Sequence, residues 1–234
     1  IINERHEAWG SLARKLAHEI KNPLTPLQLT IDTIRNKYLN QINNQDQDNF
    51  KDNLKIINNQ IKQIENLVNE FSDFARMPKP ILKQNNLIDI LKENIALLKQ
   101  LDDTIEIKLN QNSDNIFFNC DKEQIGRVFL NLIKNSIESI QQKEEIEPKF
   151  DKKILIEISN INEHIKVVFV DNGIGFNKLK NTKNIKDILN PYFTTKKNGT
   201  GLGLSIVNKI INDHNGELKF YSIPNGAKVE INLK

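Results

Sequence analysis

The chain of 234 residues holds a single cysteine, Cys120, and only one methionine and one tryptophan. One cysteine cannot form an intrachain disulfide or supply several thiolates to a metal, so a reducing compartment is expected. No apolar run approaches the roughly 18 residues that a membrane-spanning helix needs, and no signal-peptide pattern is present. A net charge of +3 without a basic block gives no argument for nucleic-acid binding.

What the chain has is an ordinary soluble composition, with 38% hydrophobic and 27% charged residues. Its length suffices for one large domain or two small ones with real cores. It starts at Ile1, without a methionine and inside a helical pattern. We therefore expect a fragment, in which a missing membrane anchor carries no information about the full-length protein.

Two long helical patterns occupy the N-terminal third. The first runs from Asn3 to about Leu39, a polar stretch from Asn40 to Asp48 follows, and the second pattern runs from Phe50 to Ala75. Apolar residues in the second alternate between steps of four and three, which is typical of a helix in a coiled coil or bundle. One antiparallel hairpin cannot bury both apolar stripes, so we expect a second copy to complete a four-helix bundle. A purely structural coiled coil would show the same periodicity.

The sequence Met77-Pro78-Lys79-Pro80 ends the hairpin, because proline neither continues a helix nor tolerates one before it. Beyond it the patterns predict an α+β sandwich, one sheet covered by helices. Predicted helices span Asn86 to Gln100, Asp121 to Ile140 and Leu202 to Asp213. Predicted strands span Ile105 to Leu109, Ile116 to Asn119, Ile154 to Ser159, Ile165 to Val170, Glu217 to Tyr221 and Ala227 to Leu233. We expect a hairpin domain over 1–77, a linker over 78–81 and a second domain over 82–234.

His18 is predicted to face solvent. With Leu16 at the centre of the buried stripe and 100° per residue, His18 lies at about 200°, among polar neighbours. Pro23 cannot donate to the carbonyl of Glu19, so the sequence predicts a kink and a phase shift just beyond His18. An exposed histidine is more often a plain surface residue, the class in which we place the other three histidines: His6, His164 and His214.

The run from His18 to Leu24, HEIKNPL, resembles the phosphoacceptor box HExxNP of sensor histidine kinases. The longer stretch from Ala17 to Leu29, AHEIKNPLTPLQL, resembles nitrogen-regulation kinases of the NtrY kind. The resemblance implies that His18 attacks the γ-phosphate of ATP, with Glu19 as general base. It also implies that Asn22 orients water when the kinase dephosphorylates its partner. The chemistry agrees, because neutral imidazole is nucleophilic and a neighbouring carboxylate can accept the other ring proton.

Three further motifs carry polar or glycine residues at telling positions. Asn131, Lys134, Asn135 and Glu138 share one face of a predicted helix. The sequence DNGIG, 171–175, follows an apolar strand and suits a carboxylate that accepts from an adenine amino group. The sequence GTGLGL, 199–204, opens a helix, where free N–H groups and the positive end of the dipole attract anions. Neither a Walker motif nor the dinucleotide GxGxxG has this spacing.

In this order, with PYFTTK at 191–196, the motifs resemble the ATP-binding domain shared by histidine kinases, Hsp90-type chaperones, gyrase-type ATPases and MutL, the GHKL or Bergerat type. The resemblance implies that Asn135 coordinates Mg²⁺ while Asn131 and Lys134 assist at the metal and phosphates. Asp171 would hold adenine in a pocket shaped by Gly173 and Gly175. The remaining expected nucleotide-binding residues are Phe193, Thr195, Lys196, Gly199, Thr200, Gly201, Leu202, Gly203 and Leu204. Gly226 matches the family's last glycine box.

Together the resemblances imply a homodimeric kinase core that phosphorylates His18 from ATP with Mg²⁺ and then passes the phosphoryl group to an aspartate of a response regulator. The resemblance to NtrY implies that this regulator is of the NtrX type. The resemblances further imply phosphatase activity toward that regulator, and the cytoplasmic portion of a protein anchored in the bacterial inner membrane. Two alternatives remain. A GHKL ATPase would carry an acid where this chain has Asn131 and would lack the HExxNP hairpin. A dimeric scaffold would bind nucleotide without phosphotransfer, yet every box here is intact.

Overall fold

The computed structural model describes residues 2–100, 102–162, 164–176, 185–194, 196 and 199–234, with side chains described from Ala13 onward except at positions 44, 185 and 186. It divides into two compact units. The first comprises Ile1–Pro78 with Lys196–Leu202, and the second comprises Lys79–Thr195 with Gly203–Lys234. The two units are taken in turn. Within the described part of the chain, none of the helices combines the length and apolarity that crossing a bilayer requires.

The first unit contains a hairpin of two long helices. Helix α1 spans Ile2–Tyr38, a short 3-10 helix spans Leu39–Gln41, and helix α2 spans Asn44–Ala75. The turn is shorter than the polar stretch from Asn40 to Asp48 suggested, because α2 begins within that stretch. Asp46 lies in the first turn of α2, where a negative charge favours the helix dipole. An apolar period cannot detect such a solvated first turn.

One stripe from each helix forms the core of the hairpin. Leu24 and Ile31 of α1 pack with Leu54 and Ile61 of α2. Leu16, expected at the centre of the buried stripe, is 41% exposed, whereas Ala13 and Ala17 are buried. A second stripe of large apolar side chains is exposed on the hairpin: Leu16, Ile20, Leu27 and Tyr38 of α1 with Ile57 and Ile64 of α2.

The second unit alternates short helices and strands. Its helices are α3 (Leu87–Lys99), α4 (Lys122–Glu144) and α5 (Gly203–Asp213), with a 3-10 helix at Ile185–Leu189. Its strands are β1 (Lys83–Asn86), β2 (Glu106–Gln111), β3 (Phe117–Cys120), β4 (Lys153–Ile161), β5 (His164–Asp171), β6 (Glu217–Ile223) and β7 (Gly226–Leu233). Every helix and strand expected beyond residue 81 is therefore present. Strand β1 was not predicted, because its sequence KQNN has no apolar residue to mark it.

Five of these strands form one mixed sheet in the order β2-β4-β5-β7-β6. Strand β2 runs parallel to β4, and the other neighbours are antiparallel. Strands β1 and β3 pair separately as a two-stranded ribbon. Helix α4 packs on β4 and β5, and α5 packs on α4 and β6. The α+β sandwich predicted from the sequence is confirmed.

The N-terminus of α4 shows why one histidine was assigned wrongly. Asp121 caps α4, since its carboxylate accepts from the N–H groups of Glu123 and Gln124. The Asp121 N–H donates to Nε2 of His214 over 3.0 Å, and Nδ1 of His214 lies 2.8 Å from the Ile210 carbonyl. His214 is thus 3% exposed rather than a surface residue. A buried N–H needs an acceptor from elsewhere in the fold, which no local pattern reveals.

The structure describes the side chain of one of the two remaining histidines. His164, at the start of β5, is exposed as expected. The side chain of His6 lies outside the described residues.

We expect truncation of Ile61 on α2 to destabilise the hairpin, and truncation of Ile56 on the same helix to leave its stability almost unchanged. Ile61 is 5% exposed in the hairpin core and Ile56 is 57% exposed on the outer face. Ile61→Ala should lower the free energy of unfolding of the hairpin by about 2–5 kcal/mol, because it removes buried methyl groups and leaves a cavity. Ile56→Ala should change it by less than about 0.5 kcal/mol. Urea denaturation followed by circular dichroism measures both, and equal losses would contradict the packing.

Candidate functional site

The motif residues of α1 lie on its solvent side. His18, Glu19 and Asn22 are all exposed, whereas Ala17, beside His18, is buried against the hairpin. His18 is exposed as predicted, although the buried residues near it are Ala13 and Ala17 rather than Leu16. An exposed imidazole on a helix that is packed through other residues can meet a reactant from solution.

Two prolines lie inside α1 immediately after His18. Pro23 and Pro26 have no N–H, so the carbonyls of Glu19 and Asn22 lose their usual donors one turn on. The helix nevertheless continues from Ile2 to Tyr38. The kink and phase shift expected beyond His18 therefore stay a prediction, within a helix that runs without a break.

Helix α4 presents a polar face in the second unit. Asn131 is half-buried and its Nδ2 donates to the Arg127 carbonyl over 2.8 Å. Asn135, one turn on, is also half-buried. Lys134 is exposed, with its Nζ 3.9 Å from a Glu138 carboxylate oxygen. Amide oxygens and a nearby ammonium group are the donor set that a hard cation and phosphate oxygens require.

The start of α5 lies against this polar face. Helix α5 begins at Gly203, and a Cβ added to Gly203 would stand 3.1 Å from Oδ1 of Asn131. Glycine at this position therefore lets the helix N-terminus approach the asparagine closely. The first-turn N–H groups of α5 have no partners within the helix and carry the positive end of its dipole. The polar face of α4 and the start of α5 together form an anion-attracting surface.

Asp171 ends β5 and is buried, with 6% of its surface exposed. Its Oδ1 accepts from the Gly173 N–H over 3.0 Å and from the Ser139 hydroxyl over 3.4 Å. Burial raises the pKa of this carboxyl, while hydrogen bonds from Gly173, Ser136, Ala227 and Ser139 oppose the rise. The result is a desolvated acceptor whose donors are all neutral.

The turn after Asp171 is fixed by glycines. A Cβ on Gly173 would stand 2.6 Å from the carbonyl carbon of Ser139, so only glycine fits against α4. Gly226, at the start of β7, has φ +134° and would place a Cβ 2.7 Å from the carbonyl carbon of Asp171. The backbone around Asp171 is thus held between α4 and β7, with Gly175 at φ +68° completing the turn.

The segment Lys196–Leu202 is grouped with the first unit. Within it Leu202 is buried, its N–H donates to the Thr200 hydroxyl oxygen over 3.4 Å, and Gly201 adopts φ +72°. The Thr200 hydroxyl donates to the Glu70 carboxylate of α2. No local pattern could predict that hydrogen bond, because it joins residues 130 positions apart.

The other expected nucleotide residues are placed only in part. Phe193 is half-buried, and its N–H donates to the Asn190 carbonyl over 3.2 Å. Leu204 lies in the first turn of α5. Thr195 lies outside the described residues, as do residues 177–184 between the DNGIG and PYFTTK motifs. Ser136 and Ser139, which hold Asp171, were missed. Their position one turn apart on α4, after Asn135, is the signal that could have indicated them.

The comparisons with known proteins agree with this arrangement. Residues 8–80 match the family model "His Kinase A (phospho-acceptor) domain". Residues 120–234 match the model "Histidine kinase-, DNA gyrase B-, and HSP90-like ATPase". The chain belongs to the sensor histidine kinases.

Among curated proteins, this kinase is 36% identical over 218 residues to the NtrY-like sensor histidine kinase of Rickettsia felis, covering 93% of the chain and 34% of that relative. It is 31% identical to the nitrogen regulation protein NtrY of Azorhizobium caulinodans, covering 100% of the chain and 29% of that relative. The chain thus spans about a third of the length of these relatives.

Among solved structures, the kinase resembles histidine kinase ThkA crystallised with the response regulator protein TrrA. The TM-score is 0.65 at 22% identity, covering 99% of this chain and 63% of that one. At this identity the likeness concerns the fold.

We expect Asp171→Asn to raise the melting temperature at neutral pH. The pKa of Asp171 in the fold lies above its ordinary value, so its protonated form is favoured by folding and its ionised form costs stability as pH rises through that pKa. Asparagine carries no charge to desolvate. The gain should therefore be largest near neutral pH and shrink in acid.

Asp102→Asn is the matched control, and its expected effect on the melting temperature at neutral pH has the opposite sign. Hydrogen bonds from Thr104 and Gln141 hold the pKa of Asp102 below its ordinary value, so this substitution should lower stability at neutral pH and matter less in acid. Thermal melts of both variants and the parent at neutral and acidic pH measure the effect. A melting temperature that Asp171→Asn lowers equally at every pH would contradict the assignment.

Proposed function

We propose that this chain is the catalytic core of a sensor histidine kinase that transfers the γ-phosphoryl group of ATP to His18 and then to an aspartate of a response regulator. The observation that supports it most is the exposed imidazole of His18. This histidine begins the HExxNP sequence and lies within residues 8–80, which match the phospho-acceptor model. The ATPase-type match over 120–234 implies that the second unit binds ATP. A GHKL ATPase without phosphotransfer is not favoured, because it would not need the phospho-acceptor domain that residues 8–80 match.

His18 acts as nucleophile in the first step. The lone pair of one ring nitrogen forms the N–P bond while the bond from the γ-phosphorus to the β–γ bridging oxygen breaks and ADP leaves with that electron pair. The proton on the other ring nitrogen passes to Glu19, the adjacent carboxylate. In the second step the regulator's carboxylate attacks phosphorus, the N–P bond breaks with its electron pair left on the ring, and the proton held by Glu19 returns the histidine to its neutral form. Asn22 is proposed to orient the water that hydrolyses the acyl phosphate of the regulator in the separate phosphatase reaction.

ATP is proposed to bind in the second unit along α4. The adenine amino group donates to the buried Asp171 carboxylate, and the phosphates lie toward Asn131, Lys134 and Gly203, the first residue of α5. Asn135 fits a Mg²⁺ ion, because its amide supplies a hard oxygen on the same helix face. When bound, Mg²⁺ would neutralise charge on the phosphate oxygens. Phe193, Thr195 and Lys196 are assigned to the nucleotide by sequence alone.

The domain limits and partners are part of this proposal. We assign 1–77 to dimerisation and phosphotransfer, 78–81 to the linker and 82–234 to ATP binding. ThkA assembles with a response regulator, and the NtrY relatives are nitrogen-regulation kinases, which supports an NtrX-type regulator here. The same relatives support the cytoplasmic portion of a protein anchored in a bacterial inner membrane. The homodimer would form through the exposed apolar stripe of the hairpin.

We expect His18→Gln to abolish incorporation of label from γ-labelled ATP and Mg²⁺, because glutamine offers no nucleophilic nitrogen. The label on the parent should be acid-labile and base-stable, as phosphohistidine is. His164→Gln is the matched control, since His164 is also exposed but lies on β5 and should keep parental labelling. Label retained by His18→Gln at the parental level would refute the phosphoacceptor assignment.

We expect Leu27→Lys combined with Ile64→Lys to convert a dimer into a monomer. Both side chains lie on the exposed apolar stripe, where a second copy would have to bury the new charges. Leu29→Lys is the control, because Leu29 is 63% exposed on the opposite, His18 side of α1. Light scattering at micromolar concentration measures the mass. A parent chain that is already monomeric, or a charged variant that stays dimeric, would argue against this interface.

A further inference from the structure

We propose that Ser136 and Ser139 are positioning residues for base selection, whose hydroxyls hold the Asp171 carboxylate in the orientation that accepts a hydrogen bond from the amino group of adenine. This inference rests on the proposed function, which assigns the adenine base to Asp171. The two serines come from α4, the same helix that presents Asn131 and Asn135.

The two serines approach Asp171 from one side. They are spaced i, i+3, so both face the end of β5. The Ser139 hydroxyl lies 3.4 Å from Oδ1 of Asp171, and the Ser136 hydroxyl also donates to this carboxylate. Ser136 is 5% exposed, and a buried hydroxyl needs a hydrogen-bond partner within the protein. The carboxylate of Asp171 is such a partner.

Ser139 also fixes the turn that follows Asp171. Its carbonyl accepts from the Ile174 N–H over 3.2 Å, and its atoms fill the space where a Cβ on Gly173 would stand. The Gly173 N–H in turn donates to Oδ1 of Asp171 over 3.0 Å. The carboxylate and the backbone beside it are therefore oriented by the same residue of α4.

The serine hydroxyls also favour the ionised form of Asp171. Burial raises the pKa of this carboxyl, and neutral donors oppose the rise. Charged side chains of the elements packed against Asp171 form ion pairs with other residues; among them are Glu138 and Lys143 on α4, Lys153 on β4 and Lys228 on β7. Only an ionised carboxylate is purely an acceptor, because a protonated one can turn an O–H toward the incoming amino group.

Base selection follows from this arrangement. A fixed, ionised acceptor forms a hydrogen bond with a purine that carries the exocyclic amino group of adenine. It forms none with a purine that carries hydrogen at that position, so it binds the first purine more tightly. Loss of the serines should therefore weaken the binding of ATP specifically, whereas general damage to the pocket would weaken every purine nucleotide.

The test compares ATP with purine riboside triphosphate, which lacks the amino group, on the 234-residue chain in the presence of Mg²⁺. Titration calorimetry should show that Ser136→Ala with Ser139→Ala lowers the affinity for ATP about tenfold. The affinity for purine riboside triphosphate should stay within about twofold. The pH midpoint below which ATP binding weakens should move upward, since fewer donors hold Asp171 ionised. Ser159→Ala, on β4, is the matched control and should change neither affinity.

Equal losses for the two nucleotides, or an unchanged affinity for ATP, would overturn the inference. The single variants carry the same test if the double variant does not fold. Asp171→Ala, which leaves no side-chain acceptor, separates the positioning role from the adenine assignment. If Asp171→Ala removes the preference for ATP while the serine variants keep it, the positioning role fails and the proposed adenine site stands. If Asp171→Ala also keeps the preference, the adenine assignment itself fails.

Discussion

Helix α4 has to satisfy two demands with one sequence. Its apolar side packs on β4 and β5 and contributes buried residues such as Phe129 and Ile133 to the core. Its polar residues, Asn131 and Asn135, are half-buried rather than solvated. Because the core fixes the rotation of the helix, it also fixes where those amides point. The positions of α5 and of the turn after Asp171 follow from contacts with this helix.

The buried carboxylate of Asp171 shows what this arrangement costs. A desolvated acid destabilises the fold in its charged form, and the protein retains it with four neutral donors rather than a counter-ion. A cation at this position would compete with an incoming amino group for the same oxygens. Neutral donors keep the acceptor strength available to a ligand, which is consistent with a recognition role.

Most of the second unit could be predicted from its sequence, because alternation and helical period report burial directly. Asp121 and Asn86 marked the starts of two helices, since their side chains cap free N–H groups. Strand β1 and the buried His214 could not be predicted, because both depend on partners distant in sequence.

In the first unit, both helices were predicted correctly, but the buried face of α1 was not. The spacing of apolar residues identifies a helix, yet it does not distinguish the face buried inside the hairpin from the apolar face exposed on its surface. Leu16 therefore came out exposed while Ala13 and Ala17 are buried. In the site, the helical period predicted that His18 is exposed, and the motifs pointed to Asn131 and Asp171, which the structure shows to be half-buried and buried. The serines that hold Asp171 belong to no motif, and only the fold brings them to it.

The central claim is that an accessible imidazole on α1 receives a phosphoryl group from ATP held along α4. Peptide mapping by mass spectrometry at alkaline pH, after incubation of the chain with ATP and Mg²⁺, tests it most directly. The account predicts a single phosphorylated peptide whose fragments place the phosphoryl group on His18. Conversion of ATP to ADP with an unmodified His18, or with the group on another residue, would contradict it.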